Sequence, residues 1–430
     1  MRKIALLLLP ALMYAQDFIS LLKLADHNLL LQAKSQEIIA KDALYRSAKS
    51  KNYPTLDAKL TAVYLKDTPT MNFNLPFPGM PPKIEVGKKA NYTGEVGISY
   101  PLFTGFAISG MIEKAQLDKE KAQLEQKDLK RKLYLQIASL YSALYSLNHA
   151  ISANKEAVNA TETSLKKARG FYKAGLLAPS ELANIKAQKF AIQAALQKFI
   201  SQKKSALQML SYLTGKPIDK IDRLPTLTMP KSTQLTDQAL HERADILTLQ
   251  KLLQIDEADI KLAKSNRYPT LALIGALKLQ GDSLKLNGDG FTNPNKSYVG
   301  AAVEWKFFDG FETKHKLDAA KAKRVGRILY LKDYQNRVKT TLQNEIDTLF
   351  ALQLQYKAKQ AQLEAQENYY KLTKGRFANH LASADELSRA IAARAAAKAE
   401  FEQIKAEIFK QKCTILLETS LEEFQKVVKG

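Results

Sequence analysis

Five histidines, one cysteine and 43 carboxylates are what this chain offers to chemistry, and their spacing argues against most of it. His27, His149, His241, His315 and His380 are dispersed without ligand spacing, so no metal centre is expected. Cys413 stands alone, which removes disulfide exchange and thiolate clusters. The seven methionines do not cluster either. No nucleophile stands in a motif with a base, and no glycine-rich phosphate loop occurs, so neither an enzyme nor a cofactor is expected. Two carboxylates stand out only by recurrence: Glu181-Leu182 reappears as Glu386-Leu387, with Arg389 one turn further on.

That recurrence belongs to a larger one. Phe171-Tyr172-Lys173-Ala174-Gly175-Leu176 matches Arg376-Phe377-Ala378-Asn379-His380-Leu381, and Leu102-Phe103-Thr104-Gly105-Phe106 matches Phe307-Phe308-Asp309-Gly310-Phe311, both at a spacing of 205 residues. Asn52-Tyr53-Pro54-Thr55-Leu56 matches Arg267-Tyr268-Pro269-Thr270-Leu271 at 215, so a loop between this match and the Leu102–Phe106 one is longer in the first half. The chain reads as a tandem duplication: a repeat over 16–215, a linker over 216–236 and a second repeat over 237–430.

In each half an apolar residue recurs at every second position, as a strand requires. Leu56, Ala58, Leu60, Ala62 and Tyr64 share one face, and so do Val299, Ala301, Val303, Trp305 and Phe307. Four strands are expected, over about 55–66, 91–103, 270–280 and 297–308. The Pro-rich stretch Pro69–Pro82 cannot be sheet interior. Strands of about ten residues suit a tilted transmembrane β-strand. Four of them cannot close a barrel, and open edges in lipid leave backbone groups unpaired, so several copies are needed. Three copies make twelve strands, an even number within the known range.

The remainder reads as helix. Leu133, Ile137, Leu140, Leu144, Leu147 and Ile151 step by 4, 3, 4, 3, 4, and Leu349, Tyr356, Leu363, Tyr370 and Phe377 by sevens, the seam of a coiled coil. A helix of some 60 residues measures about 90 Å, too long for a compact domain. Tips are expected at about 170–182 and 375–387. Single shorter helices are expected over 17–51, 181–212, 237–266 and 385–427. Tyr134, Tyr141, Tyr145, Tyr369 and Tyr370 are read as packing residues. The excess of basic residues, +22 in net charge, is assigned to helix surfaces, as at Lys114, Lys119, Lys121, Lys127, Lys130, Arg131 and Lys132. Residues 1–15, with Arg2 and Lys3 ahead of Ile4–Leu9 and Ala15 before Gln16, have the grammar of a cleaved signal peptide. No later apolar run is long enough for a transmembrane helix.

The ordered set of signal peptide, Tyr-Pro-x-Leu strand openings, Phe-x-Gly-Phe strand ends, the tip Gly175-Leu176-Leu177-Ala178-Pro179-Ser180-Glu181-Leu182 and the duplication resembles the TolC-like outer membrane efflux proteins across the mature chain. Arg243-Ala244-Asp245-Ile246 is similar to that family's Arg-Pro-Asp-Leu, with Ala244 in place of proline. The resemblance implies an α+β membrane protein: a homotrimer whose twelve-stranded β-barrel lies in the outer membrane of a Gram-negative bacterium and continues into a periplasmic α-helical coiled-coil barrel. It implies work with a periplasmic adaptor and an inner-membrane pump, with no catalysis by the channel.

Site residues follow from the same resemblance. Glu181, Glu386, Arg389 and Phe377 map to the periplasmic aperture, the two acids forming carboxylate rings and Arg389 available to hold the helices closed. Gly175, Leu176 and Leu381 map to the tips that meet the adaptor, and His380 departs from the usual glycine. Solvated acids in a helix first turn are the simpler reading of Glu181 and Glu386. A protein-secretion channel is the alternative within the family. From another class comes a basic coiled-coil scaffold or nucleic-acid binder, which leaves the signal peptide and paired strands without a purpose.

Overall fold

Proline and glycine decide where this chain turns from helix to strand and back. A computed structural model describes residues 17–72, 83–230, 232–379 and 381–429; the expected signal peptide over 1–15 lies outside them. Helix α1 (Phe18–Ala25) and α2 (Leu29–Ser50) precede Tyr53-Pro54, after which β1 runs Thr55–Tyr64. Short strands β2 (Thr70–Asn72) and β3 (Lys83–Glu85) pair with each other, and β4 spans Ala90–Thr104. A long hairpin follows, α3 (Ala107–Lys173) and α4 (Pro179–Thr214). The second half has α5 (Ser232–Glu242), α6 (Ala244–Ser265), β5 (Thr270–Gly281), β6 (Tyr298–Glu304), α7 (Glu312–Ala378), α8 (Ala384–Thr419) and α9 (Leu421–Lys429).

The duplication holds at the level of single residues. Helices α3 and α7 have 67 residues each, α4 and α8 36 each, and α2 and α6 22 each. The extra length in the first half falls in the β1–β4 connection that carries β2 and β3.

The Phe-x-Gly-Phe motif has a geometric cause. Gly105 and Phe106 both have positive φ (61° and 71°), and Gly310 and Phe311 repeat this (65° and 70°). A Cβ on Gly105 would lie 2.5 Å from the Ser265 carbonyl oxygen, so only glycine fits. The strained phenylalanine is held by a ring: Phe103 meets Phe106 edge-on at 5.3 Å, and Phe308 meets Phe311 at 5.7 Å.

The chain forms two compact units. One contains Ile38–Lys121 and Gln250–Leu329. Its antiparallel sheet has the order β1-β4-β5-β6, leaving β1 and β6 as edges. Register places Leu56 opposite Ile98, Val96 opposite Leu277, and Leu273 opposite Ala301 on one face. That face is uncovered, with Leu56, Leu60, Leu277, Val299 and Val303 all exposed. The other face carries a charged row, Lys59 opposite Glu95 opposite Lys278, with Lys278 and Glu95 paired at 3.2 Å. Pro101 has no N–H for the ladder, and the β4–β5 register slips there. Pairing of β6 ends at Glu304 rather than near 308; the indole of Trp305 donates instead to the Arg267 carbonyl at 3.2 Å.

The other unit contains the described residues within 17–37, 122–249 and 330–429. Its main core surrounds Phe18, whose ring lies 5.3 Å from Tyr141, 5.1 Å from Phe409 and 6.3 Å from Phe424. Cys413 is buried in the same core. Leu133, Ile137 and Leu144 from the first heptad seam are buried, and so are Leu349 and Phe377 from the second. Of the tyrosines read as packing residues, Tyr134, Tyr141 and Tyr145 donate to Asp26 after α1, to the Arg223 carbonyl in the linker and to Glu402 on α8, whereas Tyr369 is exposed.

Three helices expected as single rods are broken. Asn28 separates α1 from α2, accepting from the Leu30 amide at 2.8 Å and donating to the Leu213 carbonyl at 2.9 Å. Arg243 separates α5 from α6. Ser420 separates α8 from α9 with extended backbone; its hydroxyl caps the Glu423 amide and donates to Glu242, each at 3.0 Å. Polar side chains at these positions take over backbone bonds that a continuous helix would supply.

Candidate functional site

The two hairpin turns are closed by the same bond. At the first, Gly175 adopts φ 74°, the Gly175 amide donates to Tyr172 at 3.0 Å and the Leu176 amide to Phe171 at 2.8 Å, a Schellman closure. At the second, the Leu381 amide donates to Arg376, also at 2.8 Å. His380, which replaces glycine there, lies outside the described residues. Leu176 and Leu381 come out equally exposed, at 68% and 67%, so each turn offers one apolar side chain to solvent.

Beneath the turns the two hairpins share a core of Leu165, Ala168, Ile185, Ile192, Leu387 and Ile391. Phe377, expected at the aperture, is only 3% exposed in this cluster and meets the Phe171 ring at 5.8 Å. Within one chain it fastens the hairpins to each other.

The charges are arranged unequally. Glu181 and Glu386 both stand in helix first turns, where the dipole favours them. Ser383 caps α8 through the Glu386 amide at 3.1 Å, whereas Ala178 at the same place on α4 gives no side-chain cap. Arg389 does not reach Glu386; it pairs with Asp385 on its own helix at 2.6 Å and is largely exposed. The partner of Glu386 is Arg376, at 3.3 Å across the turn, which also donates to the Leu381 carbonyl at 3.1 Å. Glu181 has no ion-pair partner among the described residues. Arg376 escaped the sequence reading, although its register with Phe171 was a signal: a cation stands where the first repeat has an aromatic ring.

A second charged centre is buried in the same unit, where the broken helices meet α3. Arg131 lies 2.8 Å from Asp128, 2.9 Å from Glu418 and 3.5 Å from Asp245. Arg243 lies 2.9 Å from Asp245 and 2.6 Å from Glu418, and the Tyr334 hydroxyl donates to Asp245 at 2.6 Å. Arg131 is thus no surface residue, unlike its neighbours in the basic run. Burial alone would raise the Asp245 carboxyl, but Arg243, the Tyr334 hydroxyl and Arg131 together hold it below its usual range. Tyr334 is pushed up to about 12 by burial and by Asp245. Among the described residues no group of three or more His, Cys, Asp or Glu is placed to hold a metal, and no helix is long and apolar enough to cross a membrane.

The sequence signature of the family described as outer membrane efflux protein matches residues 21–216 and 235–412. The chain belongs to that family. With it come an outer-membrane location and a passive role without catalysis. In fold, this efflux protein is similar to the outer-membrane channel OprN (TM-score 0.78, 17% identity, covering 94% of this chain and 89% of that one). It is also similar to VceC from Vibrio cholerae (0.77, 15%, 94% and 96%) and to CmeC from Campylobacter jejuni (0.79, 16%, 96% and 88%). No curated protein matches it in sequence comparison.

The depressed Asp245 leads to an expected acid sensitivity of this joint in the efflux protein. A carboxylate lowered on folding contributes stability above its unfolded pKa, about 3.9, and loses it as pH falls through the lower folded value. Thermal unfolding followed by circular dichroism is expected to be flat near neutrality and to drop steeply below that range. Asp245→Asn, already destabilised at neutral pH, is expected to show a shallower drop; an unchanged slope would remove Asp245 from the acid response.

Proposed function

We propose that this protein is one third of a trimeric exit duct. Three sheets close a twelve-stranded barrel in the outer membrane, and the helical hairpins form a periplasmic coiled-coil barrel. Substrates delivered by an inner-membrane pump through a periplasmic adaptor leave by this route. The sheet carries the reading: one face is apolar and uncovered, the other bears the Lys59–Glu95–Lys278 row, and β1 and β6 are unpaired edges. Lipid on the first face and a water-filled lumen on the second account for both. Edges cannot stay open in lipid, so β1 of one copy pairs with β6 of the next.

The turns are the adaptor contacts, through Gly175, Leu176 and Leu381: Leu176 and Leu381 present apolar side chains, and Gly175 closes the first turn with its positive φ. Glu181, Glu386, Arg389 and Phe377 surround the aperture in this reading, with Phe377 acting by packing and Arg389 as the most peripheral.

Deletion of the gene is expected to abolish export of small toxic compounds, restored by the wild-type protein. Leu176→Asp with Leu381→Asp is expected to lose cross-linking to the adaptor while the detergent-solubilised mass stays that of three chains. Retained cross-linking would sink the docking assignment. Loss of a secreted protein from the medium, with drug export intact, would move the channel to protein secretion.

A further inference from the structure

The charged row of the sheet is longer than its paired strands. The Lys296 amide donates to the Lys278 carbonyl at 2.8 Å and Leu279 bridges to Asn295, so the β5–β6 register runs on and sets Lys296 opposite Lys278. The row therefore crosses the whole sheet as Lys59, Glu95, Lys278 and Lys296. Glu95 is committed to Lys278 at 3.2 Å, whereas Lys59 and Lys296 are exposed and have no ion-pair partner among the described residues. Alternation keeps the row on the face opposite to Leu56, Val96 and Leu277.

Three lysines against one glutamate leave the row with a charge of +2 per copy. Asp57, two residues from Lys59 toward the helices and lying over Gly97, reduces the local value to +1. Lys89 and Asp282, just past the strand ends remote from the helices, offset each other. Glu304 ends β6 eight residues from Lys296, about 26 Å at the rise of a strand and so beyond a Debye length of about 10 Å. The nearest polar residues of the same face, Thr55, Thr61, Thr93, Ser99 and Gln280, carry no charge. The helical tips oppose this weakly, because Glu386 and Asp385 are paired with Arg376 and Arg389, which leaves Glu181.

We propose that the row forms a cationic collar toward the outer mouth of the duct. The channel then passes anions in preference to cations, and it favours solutes that carry carboxylate, phosphate or sulfate groups. This rests on the duct reading, in which that face lines the lumen and each of three copies supplies one row; what it adds is the charge the lumen selects and the residues that select it. Rings of lysine or arginine favour anions in protein pores. Walls of low dielectric focus the field of such a ring into the lumen, and the apolar opposite face of the sheet supplies them. Lys59 and Lys296 hold point charges on flexible stems, which attract a passing anion without enclosing it.

The test is the reversal potential of purified channel in planar bilayers across a gradient of potassium chloride. Near 0.1 M salt, where screening reaches about 10 Å, chloride is expected to permeate about threefold or more over potassium, and the preference is expected to shrink near 1 M, where screening reaches about 3 Å. The triple variant Lys59→Gln, Lys278→Gln, Lys296→Gln is expected to lose the preference while still conducting. Glu95→Gln, which leaves the lysines unopposed, is expected to increase it. A triple variant that keeps the wild-type reversal potential, or a wild-type channel that prefers potassium, overturns the collar and leaves the duct standing. If the triple variant fails to assemble, Glu95→Gln decides, and an unchanged or reduced chloride preference overturns the collar. Wild-type protein that inserts into bilayers without conducting overturns the duct and the collar together.

Discussion

Arg131→Ala is expected to lower the unfolding free energy of the helical unit by about 3–5 kcal/mol, the cost of leaving buried carboxylates without their cation. Arg131 is the member of the buried network that touches all three acids, Asp128, Asp245 and Glu418, and its side chain is 4% exposed. With it gone, Asp128 retains Lys132 at 2.7 Å, but Asp245 and Glu418 must share Arg243. Removal therefore strands charge in a largely buried site. Lys132→Ala, one residue along, is the control: its side chain is 60% exposed, so an effect of about 0–1 kcal/mol is expected. Urea titration followed by circular dichroism measures both. Equal, small effects would mean that the network is hydrated and contributes little.

Phe377→Ala is expected to cost the paired tips about 3–5 kcal/mol, as for an aromatic side chain removed from a packed core. Phe377 is 3% exposed and sits where α3, α4, α7 and α8 converge, against Phe171. Loss of protection in hydrogen exchange is expected to be confined to the segments around Leu165–Ile192 and Tyr370–Ile391, while the Phe18 core stays protected. Single-channel conductance in bilayers is expected to rise, because two hairpins no longer fastened together splay. Arg376→Ala removes a half-exposed ion pair across the second turn, about 0–1 kcal/mol, and is expected to raise conductance slightly. Arg389→Ala removes only a pair within one helix and is expected to leave conductance unchanged. A rise for Arg389→Ala exceeding that for Phe377→Ala would reverse the ranking and place the latch between copies.

The strands, their apolar faces and the helical hairpins were legible because alternation, heptads and the duplicated motifs are local patterns that survive without a partner. Tyr53-Pro54 and Gly105-Phe106 mark transitions through backbone geometry, which sequence states directly. The helix breaks at Asn28, Arg243 and Ser420 were not legible, since each depends on a side-chain bond to a residue far along the chain, such as Leu213, Glu418 or Glu242. Arg131 is hidden for the same reason: five of the six residues from Lys127 to Lys132 besides Leu129 are charged, and only contact with Glu418 distinguishes one of them. At the tips the acids stood out by repetition, but Arg376 as the partner of Glu386 did not, because Arg376 and Arg389 are equivalent in type and differ only in which way the turn brings them.

The matched hairpins, 67 and 36 residues in both halves, bear on which length changes the chain can tolerate. A three-residue deletion in α7 alone would draw Leu381 back by about 4.5 Å and turn its helix face by most of a revolution, so that Phe377 would miss Phe171. The same deletion placed in both arms of the hairpin would still leave it shorter than its twin. Surplus residues have accumulated instead between β1 and β4, where a loop absorbs them. Insertions are therefore expected to be tolerated at the strand connections and refused in the helices, unless one hairpin changes in step with the other.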